Sequence, residues 1–146
     1  MPEKNQLRRE MRAMPPMPPD LRGGKSALLC EAIRATPAWR TARTIVIFAP
    51  LPGEPDVEML WAHAENRTFA YPLVEGDRLG LYTARSPLEL RPTQWGLREP
   101  VADPASVVAP DSIDLILVPG VAFSRGGARL GRGRGYYDRL LATLSG

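Results

Sequence analysis

The spacing of apolar residues changes period several times along the chain, and each change predicts an element. In residues 2–14, Lys4, Leu7, Arg8, Met11 and Arg12 recur at three- and four-residue intervals, which predicts a short helix with one basic edge. Met-Pro-Pro-Met-Pro-Pro at 14–19 has no helical register and predicts a stiff linker. Asp20 then suits an N-cap for a second helix, with Leu21, Leu28, Leu29, Ala32 and Ile33 on one face and its end before Pro37. Ile45-Val-Ile-Phe48 is β-branched and apolar, the pattern of a buried strand. Leu51-Pro-Gly-Glu-Pro55 predicts a loop at its C-terminal end, and Asp56 caps a helix carrying Val57, Leu60, Trp61 and Ala64.

Further short strands are expected over 68–71 and 79–83, on either side of the turn Glu75-Gly76-Asp77. Ser86-Pro87-Leu88-Glu89 has the form of a capping box with proline at the first helical position. Residues 94–100 read as loop and 113–118 as the last strand. Alternating strands and helices predict a single α/β domain over residues 1–146 with a three-layer, open, mostly parallel sheet. Ligands of such sheets sit at the carboxyl ends of the strands.

The longest apolar run, Leu115-Ile-Leu-Val-Pro-Gly-Val-Ala-Phe123, predicts a strand buried on both faces. Behind it, Gly126, Gly127, Gly131, Gly133 and Gly135 are interleaved with Arg125, Arg129, Arg132 and Arg134, before Leu140, Leu141 and Leu144 resume helical spacing. A strand, a glycine–arginine loop and a helix form an anion-binding device. The glycines admit a close backbone approach, the helix N-terminus adds partial positive charge, and the arginines supply forked donors. The GxxxxGK[ST] phosphate loop is absent from the sequence.

Composition narrows the field. The 146 residues are 44% apolar and 24% charged, with net charge +3, ordinary values for a globular chain. Charge placement is more telling: five arginines face one aspartate between Arg125 and Arg139, which favours one polyanionic ligand over a broad nucleic-acid surface. RNA binding by the Gly-Arg run is the competing reading, weakened because the run is short, non-repetitive and framed by a strand. Cys30 and His63 are each alone, so neither a disulfide framework nor zinc chemistry has its residues; both suit helix packing. No apolar segment nears the ~20 residues of a membrane span and no signal peptide is visible, so a cytoplasmic protein is expected, with neither membrane nor nucleic acid as partner.

Leu117-Val-Pro-Gly-Val-Ala-Phe123 with Arg129-Leu-Gly-Arg-Gly-Arg-Gly-Tyr-Tyr-Asp138 resembles the signature of the 5-formyltetrahydrofolate cyclo-ligases. Lys4-Asn-Gln-Leu-Arg8, Phe48-Ala-Pro-Leu-Pro-Gly-Glu54 and Trp95-Gly-Leu-Arg-Glu-Pro100 occur in the family's order, so the resemblance spans nearly the whole chain. It implies a NagB/RpiA/CoA-transferase-like α/β fold and a Mg²⁺- and ATP-dependent closure of 5-formyltetrahydrofolate, with or without a polyglutamate tail. A monomer is expected. Family chains continue past the helix after Tyr-Tyr-Asp and carry a second acidic magnesium ligand there. The sequence is therefore read as C-terminally shortened, either a fragment or a shortened relative whose metal site is incomplete. The alternative function is a catalytically impaired relative that binds nucleotide or folate without turnover.

The resemblance also implies residue roles, each with a plainer reading beside it. ATP binding falls to Lys4, Arg8, Arg129, Leu130, Gly131, Arg132, Gly133, Arg134, Gly135, Tyr136 and Tyr137, with Arg132 and Arg134 serving the moving phosphoryl group; a flexible basic loop is the alternative. Folate binding falls to Ala49, Glu54, Trp95, Arg132, Gly133, Arg134, Gly135 and Tyr136. Glu54 would take two parallel hydrogen bonds from an aminopyrimidine edge, or else is a turn glutamate. Asp138 would hold Mg²⁺, or else complements the helix dipole. Lys4 and Arg8 share a helix face and would reach the phosphates, or form a solvated edge. Trp95 would line the folate or cover the core, and Tyr137 is equally suited to the core.

Overall fold

The computed structural model describes residues 2–93 and 96–144. Its framework grows from Ile45, Val46 and Ile47, none of which exposes any surface. Strand β1 (Thr44–Val46) runs parallel to β2 (Thr68–Glu75) on one side, with Ile45 opposite Phe69, and parallel to β6 (Leu115–Ile116) on the other, with Ile45 opposite Leu115. Strand β3 (Arg78–Ala84) adds antiparallel to β2, giving the order β3-β2-β1-β6. The hairpin between them turns on Gly76, whose φ of 66° suits the first central position of a II′ turn.

Period-two alternation sends the strand residues into two cores. Ile45, Ile47, Phe69 and Tyr71 meet the helical layer on one face, packing with Cys30 of α2 (Pro19–Arg34), Trp39 of α3 (Pro37–Thr41) and Val57 and Leu60 of the 3₁₀ helix Val57–His63. Val46, Ala70 and Leu81 face the other way and meet Leu140 of the C-terminal helix Tyr136–Leu144. Helices therefore cover both faces of a mostly parallel sheet, the three-layer α/β arrangement expected. The N-terminal helix α1 (Pro2–Ala13) precedes the proline linker. Asp114 ties the sheet at its base: its Oδ2 accepts the N–H groups of Arg43 and Thr44, each at 2.9 Å, and these bonds hold its carboxyl below the usual carboxylate range.

Several expectations are corrected. In α2 the buried positions are Ser26 and Cys30, with Ile33 packed alongside, while Leu21, Leu28 and Leu29 are exposed. Small side chains face inward because the loop after β1 approaches close enough to bond them. Asp20 lies inside the first turn of α2, whose N-cap position is Pro18, with no side-chain cap. Asp56 does cap, accepting from Glu58 N, but the segment it starts is 3₁₀ rather than α. Ser86 also caps, accepting from Leu88 N at 3.1 Å over a single 3₁₀ turn, Pro87–Glu89.

The run 115–123 is not a strand buried on both faces. Only Leu115–Ile116 joins the central sheet, at its edge, and Phe123 is 63% exposed. An edge strand has one hydrogen-bonded neighbour, and Pro119 and Gly120 end its regular geometry. Nor is the segment from there to the helix one loop: Ala122–Phe123 and Arg129–Leu130 form an antiparallel hairpin, β7 and β8. A second small ribbon, β4 (Arg91–Pro92) with β5 (Arg98–Glu99), occupies part of the stretch expected to be loop. The helix 136–144 is α4.

Candidate functional site

The segments leaving the carboxyl ends of β1 and β6 open onto one cavity of about 470 Å³. Its first wall is the loop after β1, with Phe48, Ala49, Leu51 and Glu54. Glu54 is 7% exposed, and three neighbouring bonds fix it: its N–H donates to Leu51 O at 2.9 Å, its Oε1 accepts from Leu51 N at 2.8 Å, and its Oε2 faces Arg132 Nη2 at 3.3 Å. A buried carboxylate held this way has a defined direction, because backbone groups occupy one oxygen and leave the other aimed into the cleft.

The second wall is the glycine–arginine segment from Gly131 to Gly135. Gly133 and Gly135 have φ values of 111° and 73°, and Arg134 between them does not share that sign. Alternating handedness of this kind curls the backbone into a concave nest suited to an anion. Only glycine takes both positions without strain. Arg8 reaches over from α1, donating Nε–H to Gly131 O at 2.7 Å. Arg132, Gly133 and Arg134 are exposed on the cleft side.

The helix α4 closes the floor. Arg129 donates through Nη1 to Pro119 O at 2.9 Å and through Nη2 to Asp138 Oδ1 at 2.8 Å, pinning the start of α4 to the strand below. Tyr136 donates its hydroxyl to Gly76 O at 3.3 Å, and Arg139 donates Nε–H to Asp77 O at 2.7 Å, so α4 also holds the β2–β3 turn. Burial pushes the Tyr137 hydroxyl pKa up; the charge of Glu54 adds to this and Arg129 opposes it. Tyr137 is therefore a neutral hydroxyl in the physiological range.

Strand β2 contains Pro72, which has no N–H to donate, and past Ala70 it has no partner on its β1 side. Glu99 fills that place: its Oε2 accepts Val74 N at 2.7 Å and its Oε1 accepts the Thr93 hydroxyl at 2.6 Å. Arg98, one residue earlier, pairs with Glu58, which in turn accepts the Tyr71 hydroxyl at 2.7 Å. Both Arg98 and Glu99 line the cavity. Neither received a role from sequence, although both lie within the Trp-Gly-Leu-Arg-Glu-Pro motif.

Of the residues expected to bind ATP, Arg8, Arg129, Gly131, Arg132, Gly133, Arg134, Gly135, Tyr136 and Tyr137 line the cavity. Lys4 is exposed on α1 and Leu130 lies in β8; neither is on the cavity wall. Of those expected to bind folate, Ala49 and Glu54 face the second group across the cleft. Trp95 lies outside the described residues. Asp138 lines the cavity with a side chain 77% exposed. Among the described residues no three His, Cys, Asp or Glu side chains gather as a metal cage. One exposed carboxylate beside an anion-suited nest is the kind of donor Mg²⁺ takes, since that ion keeps most of its waters and uses one or two protein oxygens.

The chain as a whole is similar to known proteins in sequence and in fold. The family model described as the 5-formyltetrahydrofolate cyclo-ligase family matches residues 1–146. The 5-formyltetrahydrofolate cyclo-ligase of Escherichia coli K12 is 32% identical over 143 residues, covering 92% of this chain and 75% of that protein. That of Mycolicibacterium smegmatis is 34% identical over 110 residues, 69% of this chain and 56% of the relative. Among solved structures, the 5,10-methenyltetrahydrofolate synthetase of Aquifex aeolicus superposes with a TM-score of 0.81 at 32% identity, covering 98% of this chain and 74% of that one.

Proposed function

The chain belongs to the 5-formyltetrahydrofolate cyclo-ligase family, and from that premise we propose how its cleft performs the reaction: ATP-dependent closure of 5-formyltetrahydrofolate to 5,10-methenyltetrahydrofolate, with ADP and phosphate released. The observation that carries this reading is the Arg132–Glu54 pair, 3.3 Å apart, which joins an anion nest and a buried carboxylate in one cavity. A reaction between a phosphate donor and a heterocycle needs both.

The formyl oxygen attacks the γ-phosphorus and ADP leaves; the second folate nitrogen then attacks the activated carbon and phosphate departs. Protein groups serve mainly by positioning and by positive charge. Glu54 accepts the aminopyrimidine edge and so fixes the heterocycle, with Ala49 and Tyr136 beside it. Gly131, Gly133 and Gly135 shape the backbone around the phosphates, with Arg8 and Arg129 at the rim. Arg132 and Arg134 stabilise charge on the transferred phosphoryl group, where aimed donors matter most. Asp138 is the residue that would hold Mg²⁺, which offsets phosphate charge when bound. Lys4, Leu130 and Trp95 are assigned to the ligands on the family pattern alone.

Each component needs its own readout. Mixing the protein with 5-formyltetrahydrofolate, ATP and Mg²⁺ yields the absorbance of the methenyl product; no product at high enzyme concentration contradicts the assignment. A second reading, binding without turnover, draws support from Asp138, whose Oδ1 is already held by Arg129. Calorimetry that detects both ligands while no product forms would favour it. We further read the chain as one domain acting as a cytoplasmic monomer. One continuous four-stranded sheet supports the first point, and among the described residues no helix is long and apolar enough to cross a membrane.

A further inference from the structure

A helix that does not line the cavity bonds the backbone around Glu54. Arg22, in α2, donates Nε–H to the main-chain oxygen of Glu54 at 2.8 Å. One turn on, Ser26 is 1% exposed, and its Oγ accepts the N–H of Asp56 at 2.9 Å. Cys30, a further turn on, sets its thiol 3.6 Å from Asp56 O. The spacing 22, 26, 30 places all three on one stripe of α2. This stripe replaces the leucine face that the sequence pattern suggests, and it binds the backbone on both sides of Pro55.

We propose that Arg22 and Ser26 are positioning residues for the folate site: they clamp residues 54–56 so that the Glu54 carboxylate enters the cavity in one orientation. The inference rests on the reading of Glu54 as the folate-binding carboxylate. The loop otherwise has little to hold it. Pro52 and Pro55 cannot donate backbone hydrogen bonds, and Gly53 sits at φ 88° with open space around it. Within the loop only the bonds between Leu51 and Glu54 resist rotation of the carboxylate. Arg22 is half-buried and lies outside the cavity, so its effect passes through Glu54.

The test compares Arg22→Ala, Arg22→Lys, Glu54→Ala and the Arg22→Ala/Glu54→Ala double variant by steady-state kinetics with each substrate varied, alongside melting temperature. Arg22→Ala raises KM for 5-formyltetrahydrofolate about tenfold with kcat and the KM for ATP unchanged, the pattern of lost uniform binding. Arg22→Lys, which keeps a donor, recovers most of that loss. In the Glu54→Ala background the Arg22 change adds nothing further, because there is no carboxylate left to aim. Ser26→Ala, if it folds, shifts the same KM. Equal rises in both KM values with a lower melting temperature, or additive effects in the double variant, would overturn the inference. If Glu54→Ala impairs folate and Arg22→Ala does not, the clamp fails while the role of Glu54 stands. If Glu54→Ala leaves the folate KM unchanged, the role of Glu54 falls and the clamp with it.

Discussion

The two walls of the cleft are built in opposite ways. The Glu54 wall is buried and backbone-bonded: one carboxylate oxygen is tied to Leu51 N, the main-chain oxygen to Arg22, and the next peptide to Ser26. The glycine–arginine wall is exposed, with the Arg132 side chain at 51% accessibility and two left-handed glycines setting its curvature. Its ties to the rest of the fold include long arginine side chains, such as Arg8 to Gly131 and Arg129 to Pro119. Under the proposed assignment, a flat heterocycle is recognised by donors and acceptors at fixed angles, which a bonded wall supplies. A phosphate chain changes charge and shape during transfer, which suits a wall with positive charge and room to adjust. The Arg132–Glu54 pair is where the rigid wall and the adaptable wall meet.

That contrast can be broken at its strongest point first. Replacing Arg132 with alanine lowers kcat by about 1,000-fold, in the range of other arginines that stabilise a transferring phosphoryl group. It also leaves buried Glu54 without its charged partner, so melting temperature is measured beside the rate. Arg132→Lys restores the melting temperature but little of kcat, since a point charge cannot replace a planar fork. Equal recovery of both would assign Arg132 to stability alone.

A smaller effect is expected at the nest. Gly133→Ala forces a side chain onto a φ of 111°, a strain of roughly 1–3 kcal/mol. Space is not the obstacle, because the nearest atom to the new Cβ is Arg8 Cζ at 3.6 Å. The loop relaxes away from the nest and the KM for ATP rises about tenfold, while the KM for 5-formyltetrahydrofolate changes less. The reverse order would show that this wall serves folate first.

The smallest expected effect lies at the base of the sheet, away from both walls. Asp114 has its pKa depressed by the Thr44 and Arg43 N–H groups, so it contributes stability above the unfolded value of about 3.9 that is lost as pH falls through its lower folded value. Asp114→Asn therefore melts below the parent protein at neutral pH, and the gap narrows below about pH 4. A gap that stays constant with pH would remove the carboxylate from this account. Activity at neutral pH is unaffected.

Much of the fold is legible in the chain and some is not, for physical reasons. The Ile45-Val-Ile core strand comes from its own side chains; the Gly-Arg segment is singled out by its residue spacing and Glu54 by the family resemblance, and the fold brings both to one cavity. The face of α2 is not legible. Hydrophobicity favours Leu21, Leu28 and Leu29, whereas close approach of a hydrogen-bonding loop selects Ser26 and Cys30. The run 115–123 misleads because apolar composition fixes neither full burial nor strand pairing, and the paired part of β6 ends at Ile116. Glu99 carries no signal of its own because its task, filling the partnerless edge of β2 past Pro72, exists only once the strands are arranged.

The central claim is that one cavity holds two separable binding walls for one ATP-driven ring closure. It is tested most directly by initial rates of methenyl product formation, both substrates varied, in the parent protein, Glu54→Ala and Arg8→Ala. The account predicts ATP-dependent product from the parent, a selective rise in the folate KM for Glu54→Ala, and a selective rise in the ATP KM for Arg8→Ala. No ATP-dependent product from the parent, or parallel rises in both KM values for each variant, would contradict it.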